Sequence, residues 1–141
     1  MDQAAIQNVL PHRPPMLLVQ EAEMNADGSA VGKYAVSGEE WFLKGHFPQN
    51  PVVPGVILCE ILAQTCCVLL AESALPAGKT PYFTGLDKVK FRRPVKPGDV
   101  VETHCKITRS KAPFYFAEGT CSVGGQTAMQ AQFSFALVDA T

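Results

Sequence analysis

The sequence has no long apolar run and no excess of one charge. No stretch reaches about 18 consecutive apolar residues, so no membrane-spanning helix is expected. Twelve Lys and Arg stand against 13 Asp and Glu, a formal net charge of −1. That balance supplies no global field for nucleic acid or a membrane surface. The opening Met1-Asp2-Gln3 lacks a basic segment followed by an apolar stretch, so no secretory signal is expected. There is no CxxC pair, and His12, His46 and His104 show no HxxxH-type spacing, so no metal centre is expected. No nucleophile elbow occurs. The five cysteines are odd in number, and adjacent Cys66 and Cys67 share a predicted helix with Cys59. With Cys105 and Cys121 they read as reduced, mostly buried small apolar residues, with the cytoplasm as the compartment. Repeats and low-complexity linkers are also missing.

What is present is a chain of 141 residues, 47% hydrophobic and 18% charged. That is a globular balance, and it fits one domain over residues 1–141. One layer of sheet and helix at this size leaves apolar surface over, which a second subunit could cover. A short helical turn is expected at Ile6 to Leu10, ended by Pro11. The apolar run Met16 to Val19 reads as strand-like. Asn25 to Gly28 is a turn signal, followed by a strand over Ser29 to Ser37 with Tyr34 and Val36 on one face and Lys33 on the other. Residues 45 to 55, GHFPQNPVVPG, hold Pro48, Pro51 and Pro54, which exclude a regular helix or central strand. Pro54 suits the first turn of a helix running to about Ser73, stopped by Pro76 and Gly78, about 27 Å long and apolar almost all round. The rest is strand-like: residues 82 to 93, with Lys88, Lys90 and Arg92 opposite Val89 and Phe91; 100 to 107; 114 to 123; a hairpin turn at Gly124-Gly125; and 129 to 137. The expected class is α+β, one antiparallel sheet wrapped on one long central helix.

Three residues stand out. Glu60 is a carboxylate in the middle of an apolar helix, with only Gln64 sharing its face as a polar group. Its ordinary reading is a helix glutamate that reaches solvent; its functional reading is a catalytic acid. His46, in the stiff loop leading into the same helix, is either a structural histidine bonded to loop backbone or a base. A histidine and a carboxylate at one pocket can divide proton abstraction and proton donation between them. Gly55 lies at the helix start, where backbone N–H groups lack helical partners. Its amide could approach a ligand and stabilise an enolate-like oxygen, or the site is simply a tight helix N-terminus.

At these residues the chain resembles the β-hydroxyacyl-ACP dehydratases of fatty acid synthesis, the FabZ type with a hot-dog fold. The similarity runs nearly end to end. It includes LPHRPPMLLV (Leu10 to Val19), GHFPQNPVVPGVILCEILAQ (Gly45 to Gln64) and FTGLDKVKFRRPVKPGD (Phe83 to Asp99). The resemblance implies a (3R)-3-hydroxyacyl chain on acyl carrier protein as substrate and the trans-2-enoyl thioester as product. It assigns His46 as the base at C2, Glu60 as the acid at the hydroxyl and the Gly55 amide to the thioester carbonyl. It implies no metal or organic cofactor. It also implies a homodimer with His46 facing the partner subunit's Glu60, and further assembly as a trimer of dimers. Phe47, Val53, Pro54, Tyr82 and Phe83 become candidates for the acyl tunnel or its gate. Lys88, Lys90, Arg92, Arg93 and Lys96 are either a solvated strand face or a landing site for the acidic carrier protein and its phosphopantetheine phosphate. The family often has Gly at Gln49, Met at Val53 and Asp at Gln20. Related isomerising dehydratases carry Asp at the place of Glu60, so Glu60 favours plain dehydration. Two rivals remain: a hot-dog thioesterase, which would hydrolyse the thioester, and a non-catalytic acyl-binding module.

Overall fold

The structure, a computed structural model, describes residues 1–70 and 79–139. The first helix, α1 (Gln3–Val9), starts earlier than expected because Asp2 supplies an N-cap, its side chain accepting from the Ala5 amide at 2.9 Å. Pro11 lies just beyond its end.

Met16 to Val19, expected as a strand, is not one. The helix glutamine Gln64 takes up its backbone groups instead. The Leu18 N–H donates to Gln64 Oε1 and Gln64 Nε2 donates to the Met16 carbonyl, both at 2.8 Å. Leu17, Leu18 and Val19 are all buried. A short apolar run carries no period, so it can lie irregularly along a helix as readily as in a sheet.

The sheet begins with β1 (Glu21–Met24), turns through Gly28 at φ +87°, and returns as β2 (Ala30–Ala35). Four long strands follow the helical region: β3 (Lys79–Phe91), β4 (Val100–Lys111), β5 (Phe114–Val123) and β6 (Gln126–Asp139). All pairs are antiparallel, in the order β1-β2-β4-β5-β6-β3. In β4, buried Val101, Thr103 and Cys105 alternate with exposed Glu102, His104 and Lys106, as a sheet with one covered face requires.

The covering element is α2 (Gly55–Leu70). It comes close because two strand residues have no side chain. A Cβ on Gly32 would stand 2.7 Å from Thr65 Oγ1, and one on Gly119 would stand 2.8 Å from Leu62 Cδ1. Thr65 and Thr103 share a hydrogen bond of 2.7 Å across this contact. The main core lies between α2 and the sheet. A second cluster joins Ile6, Leu10, Leu17 and Val19 to Cys67 and Val68, so the N-terminal segment covers the far side of the helix. An all-round apolar helix is thereby buried on two sides. The expected helix stop at Pro76 and Gly78 lies outside the described residues. All five cysteines are free and buried, as read from the sequence.

Strand β3 is at the sheet edge and holds no buried residue. Tyr82, Phe83, Leu86 and Phe91 are all exposed. The strand starts at Lys79, before the expected residue 82. Irregularities at Phe83/Gly85 and Asp87/Lys90, with Lys88 at φ +50°, break the simple alternation of Lys88, Lys90 and Arg92 against Val89 and Phe91.

The turn out of β2 is fixed by Glu40. Its carboxylate accepts from the Tyr34 hydroxyl at 2.7 Å and from the Ser37 and Gly38 amides at 2.9 Å each. Burial alone would raise its pKa, but these bonds outweigh burial and bring it from 4.5 to about 2. In the unfolded chain this carboxyl takes up a proton first. Its stabilisation should therefore be whole above about pH 4.5 and fade as pH falls toward 2. Acid unfolding followed through Trp41 fluorescence should show this slope, and Glu40→Gln should flatten it. An equal slope in both proteins would remove Glu40 from the account.

Candidate active site

The loop from Gly45 to Pro54 has no regular helix or strand, as its prolines require. It is held by the His46 amide on the Leu43 carbonyl (3.2 Å), the Asn50 amide on Phe47 (2.7 Å) and the Val53 amide on Val95 (2.7 Å). His46 Nδ1 lies 3.0 Å from the Val52 carbonyl. A carbonyl only accepts, so in the neutral ring Nδ1 carries the proton and Nε2 keeps a free lone pair. The Phe47 ring packs on the imidazole at 4.2 Å between centroids, from a backbone at φ +52°.

Pro54 opens the helix. Its carbonyl receives the Ile57 and Leu58 amides at 2.9 and 3.3 Å. The Gly55 and Val56 amides precede these bonds and have no backbone partner among the described residues. Gly55 borders a groove of about 560 Å³ with Val53, Phe91, Arg92, Arg93 and Val95. The Phe91 ring rests on the glycine so closely that a Cβ there would stand 2.7 Å from Phe91 Cε1.

Glu60 is half-buried in a different place. Gln64 Nε2 donates to its Oε2 at 2.8 Å, and His12 Nε2 lies 3.5 Å from the same oxygen. A cavity of about 40 Å³ sits there, lined by His12, Glu60, Gln64, Tyr82, Phe83 and Phe135. The Cys67 thiol also borders it; burial, then the neighbouring Cys66 and Glu60, push that thiol's pKa up, so it stays protonated.

The residues picked from the sequence thus fall into two groups. Val53 and Gly55 line the groove at the helix start with Pro54 between them, and His46, with Phe47 packed on it, lies in the preceding loop beside Val52; Glu60, Tyr82 and Phe83 lie around the small cavity. No hydrogen bond or ion pair joins His46 to Glu60 among the described residues, and the cavity at Glu60 is not lined by His46. Glu60 sits five residues into α2 from Gly55, about 7.5 Å along the axis, and its side chain leaves the flank of the helix while the Gly55 N–H points back along the axis. The basic strip divides too. Arg92 and Arg93 line the Gly55 groove. Lys88 and Lys90 line a groove of about 700 Å³ on the sheet face away from α2, with His104 and Lys106. The Lys96 amide closes a loop on Asp99 Oδ2. His12 figures in the sequence through metal spacing and the Leu10 to Val19 motif, neither of which places it beside Glu60. Gln64 was noted as a polar neighbour, but not that it is buried. A buried amide in an apolar helix must find partners, and that signal was available.

A long helix laid on an antiparallel sheet of this kind is the hot-dog fold. The dehydratase heterocomplex ApeI:P from Xenorhabdus doucetiae superposes with a TM-score of 0.81 over 95% of this chain and 91% of that one, at 18% identity. The PaaI protein of E. coli, from the phenylacetic acid degradation operon, superposes with a TM-score of 0.64 over 82% and 81%, at 14% identity. The family model of the FabA-like domain matches residues 10–132, and the chain belongs to that family. Relatives named 3-hydroxyacyl-[acyl-carrier-protein] dehydratase FabZ are similar almost end to end. One from Moorella thermoacetica is 43% identical over 138 residues, covering 97% of this chain and 96% of the relative. Another, from Caulobacter sp. (strain K31), is 42% identical over 142 residues, covering 99% and 87%.

Replacing Gln64 by leucine leaves the buried Leu18 amide and the Met16 carbonyl without partners. Gln64→Leu should therefore lower folding stability by about 1–3 kcal/mol in urea unfolding, although it adds apolar surface. A neutral or stabilising effect would show that the N-terminal segment does not depend on this amide.

Proposed function

We infer that the chain, residues 1–141 acting as one domain, is a hydro-lyase of fatty acid synthesis that converts (3R)-3-hydroxyacyl-ACP into the trans-2-enoyl thioester. FabA-like family membership and relatives named for this dehydration support it. The observation that carries the chemistry is the state of two side chains. His46 Nε2 has a free lone pair, its tautomer set by Val52. Glu60 Oε2 is engaged by Gln64, with His12 beside it, and Oε1 has no hydrogen-bond partner among the described residues.

The C2 proton beside a thioester is weakly acidic, and hydroxide is a poor leaving group. His46 Nε2 takes the proton from C2. The Gly55 amide, at the positive end of α2, donates a hydrogen bond to the thioester oxygen and stabilises the negative charge that gathers there. Glu60 protonates the C3 hydroxyl as the C3–O bond breaks. The C2–C3 double bond forms, water leaves, and exchange with solvent resets both groups. No step requires a metal or an organic cofactor.

The two half-sites meet in a homodimer, with His46 and Gly55 of one protomer facing the partner subunit's Glu60. Strand β3 supports this. It is an unpaired sheet edge with exposed Tyr82, Phe83, Leu86 and Phe91. Tyr82 and Phe83 border the Glu60 cavity, and Phe91 borders Gly55, so both half-sites open beside the strand that a second copy would cover. Dimers then assemble as a trimer of dimers. Phe47, Val53 and Pro54 line the acyl tunnel at the His46 end, and Tyr82 and Phe83 gate it at the other. Arg92 and Arg93, at the groove mouth, meet the acidic carrier protein and its phosphate, with Lys88, Lys90 and Lys96 further out. A cytoplasmic setting, where five free thiols stay reduced, fits this role.

The test is a spectrophotometric assay with a short 3-hydroxyacyl carrier thioester. The native chain should generate enoyl absorbance, and folded His46→Ala and Glu60→Gln should each lose roughly 10²- to 10⁴-fold in turnover. Native turnover in either variant removes that residue's role. Free thiol in place of enoyl product would indicate a thioesterase, and bound acyl chain with neither product a binding module.

A further inference from the structure

His12 Nδ1 is the sole buried side-chain nitrogen or oxygen without a hydrogen-bond partner among the described residues. Such an atom weakens a fold, and it persists where the other end of the group has work to do. The other end of this ring is Nε2, 3.5 Å from Glu60 Oε2.

The backbone around His12 is tightly held. The neighbouring Arg13 guanidinium donates to the carbonyls of Gln7, Leu10 and His12 at 2.9, 2.8 and 2.7 Å. The Met16 and Leu17 amides return to the Arg13 carbonyl at 2.9 and 3.1 Å. Gln64 then grips Met16 and Leu18. A ring carried on so fixed a loop has little freedom beyond its own torsions. Its Nε2 lies 3.5 Å from the same carboxylate oxygen that Gln64 already engages at 2.8 Å.

We propose that His12 is a positioning residue for Glu60: with Gln64 it occupies Oε2, so that Oε1 alone faces the acyl cavity and delivers the proton. This rests on Glu60 being the acid, as inferred above. A carboxyl group has two chemically equal oxygens, and an acid that must donate along one line gains from having one of them tied down. Bonds at catalytic groups are often long before substrate arrives and tighten in its complex, which accords with 3.5 Å. Nε2 can donate to Oε2 only if it carries a proton. In the neutral ring Nδ1 is then a bare acceptor, which is the atom found without a partner.

The test measures kcat, KM and Tm of the intact oligomer with the short 3-hydroxyacyl carrier thioester. The proteins are native, His12→Ala, His12→Gln and Glu60→Gln. His12→Ala should lose roughly 10- to 100-fold in kcat with little change in KM. His12→Gln places an amide N–H where Nε2 stands and should restore most of the loss. Native kcat in folded His12→Ala overturns the proposal, as does a loss that glutamine does not restore, because a packing role has no use for the donor. If His12→Ala fails to fold, His12→Met against His12→Gln makes the same comparison of apolar filler with donor. A dead Glu60→Gln beside an active His12→Ala removes the positioning role alone. An active Glu60→Gln removes the acid assignment and the positioning role together.

Discussion

The buried side chain of Gln64 joins three parts of this molecule. An amide inside an apolar helix is unfavourable unless its polar atoms are used, and here both N–H groups and the oxygen are used. The Met16 and Leu18 bonds hold the N-terminal segment against α2, which places Ile6, Leu10, Leu17 and Val19 over the side of the helix that the sheet does not cover. The third bond fixes Glu60. The carboxylate's direction therefore follows from how the core is closed, and Arg13 and His12 extend the same device into the loop.

A second constraint comes from the helix itself. The Gly55 amide points out of the N-terminal end of α2, while the Glu60 carboxylate leaves the flank of the same helix more than one turn further on. In the proposed reading these are two half-sites, and the cavities at Gly55 and at Glu60 both border residues of the exposed edge strand β3. Two-fold symmetry would join a half-site of each kind twice over.

Much of this architecture was legible in the residues. The prolines around His46 excluded regular structure, Pro54 marked the start of α2, and the alternation in β2, β4 and β6 gave strands with one covered face. Less was legible where the signal was short or depended on distant partners. Met16 to Val19 carries no period, and its backbone is satisfied by a glutamine 46 to 48 positions away. Strand β1 is only four residues long with one buried position. The edge strand looked like a regular alternation because its bulges leave no mark in composition. At the site, motif spacing picked out His46, Gly55 and Glu60 but said nothing of their grouping, which depends on helix rotation. His12 escaped notice because its role depends on a fold contact and not on spacing.

The division of the site between two chains is the central claim, and complementation tests it most directly. His46→Ala and Glu60→Gln chains, each inactive alone, would be co-assembled in equal amounts and assayed for enoyl formation. If His46 of one protomer works with Glu60 of the other, each mixed dimer holds one intact site, and the mixture should regain about a quarter of native turnover. If both groups serve within one chain, every site in the mixed dimer lacks one of them, and turnover no higher than that of the separate variants would contradict the account.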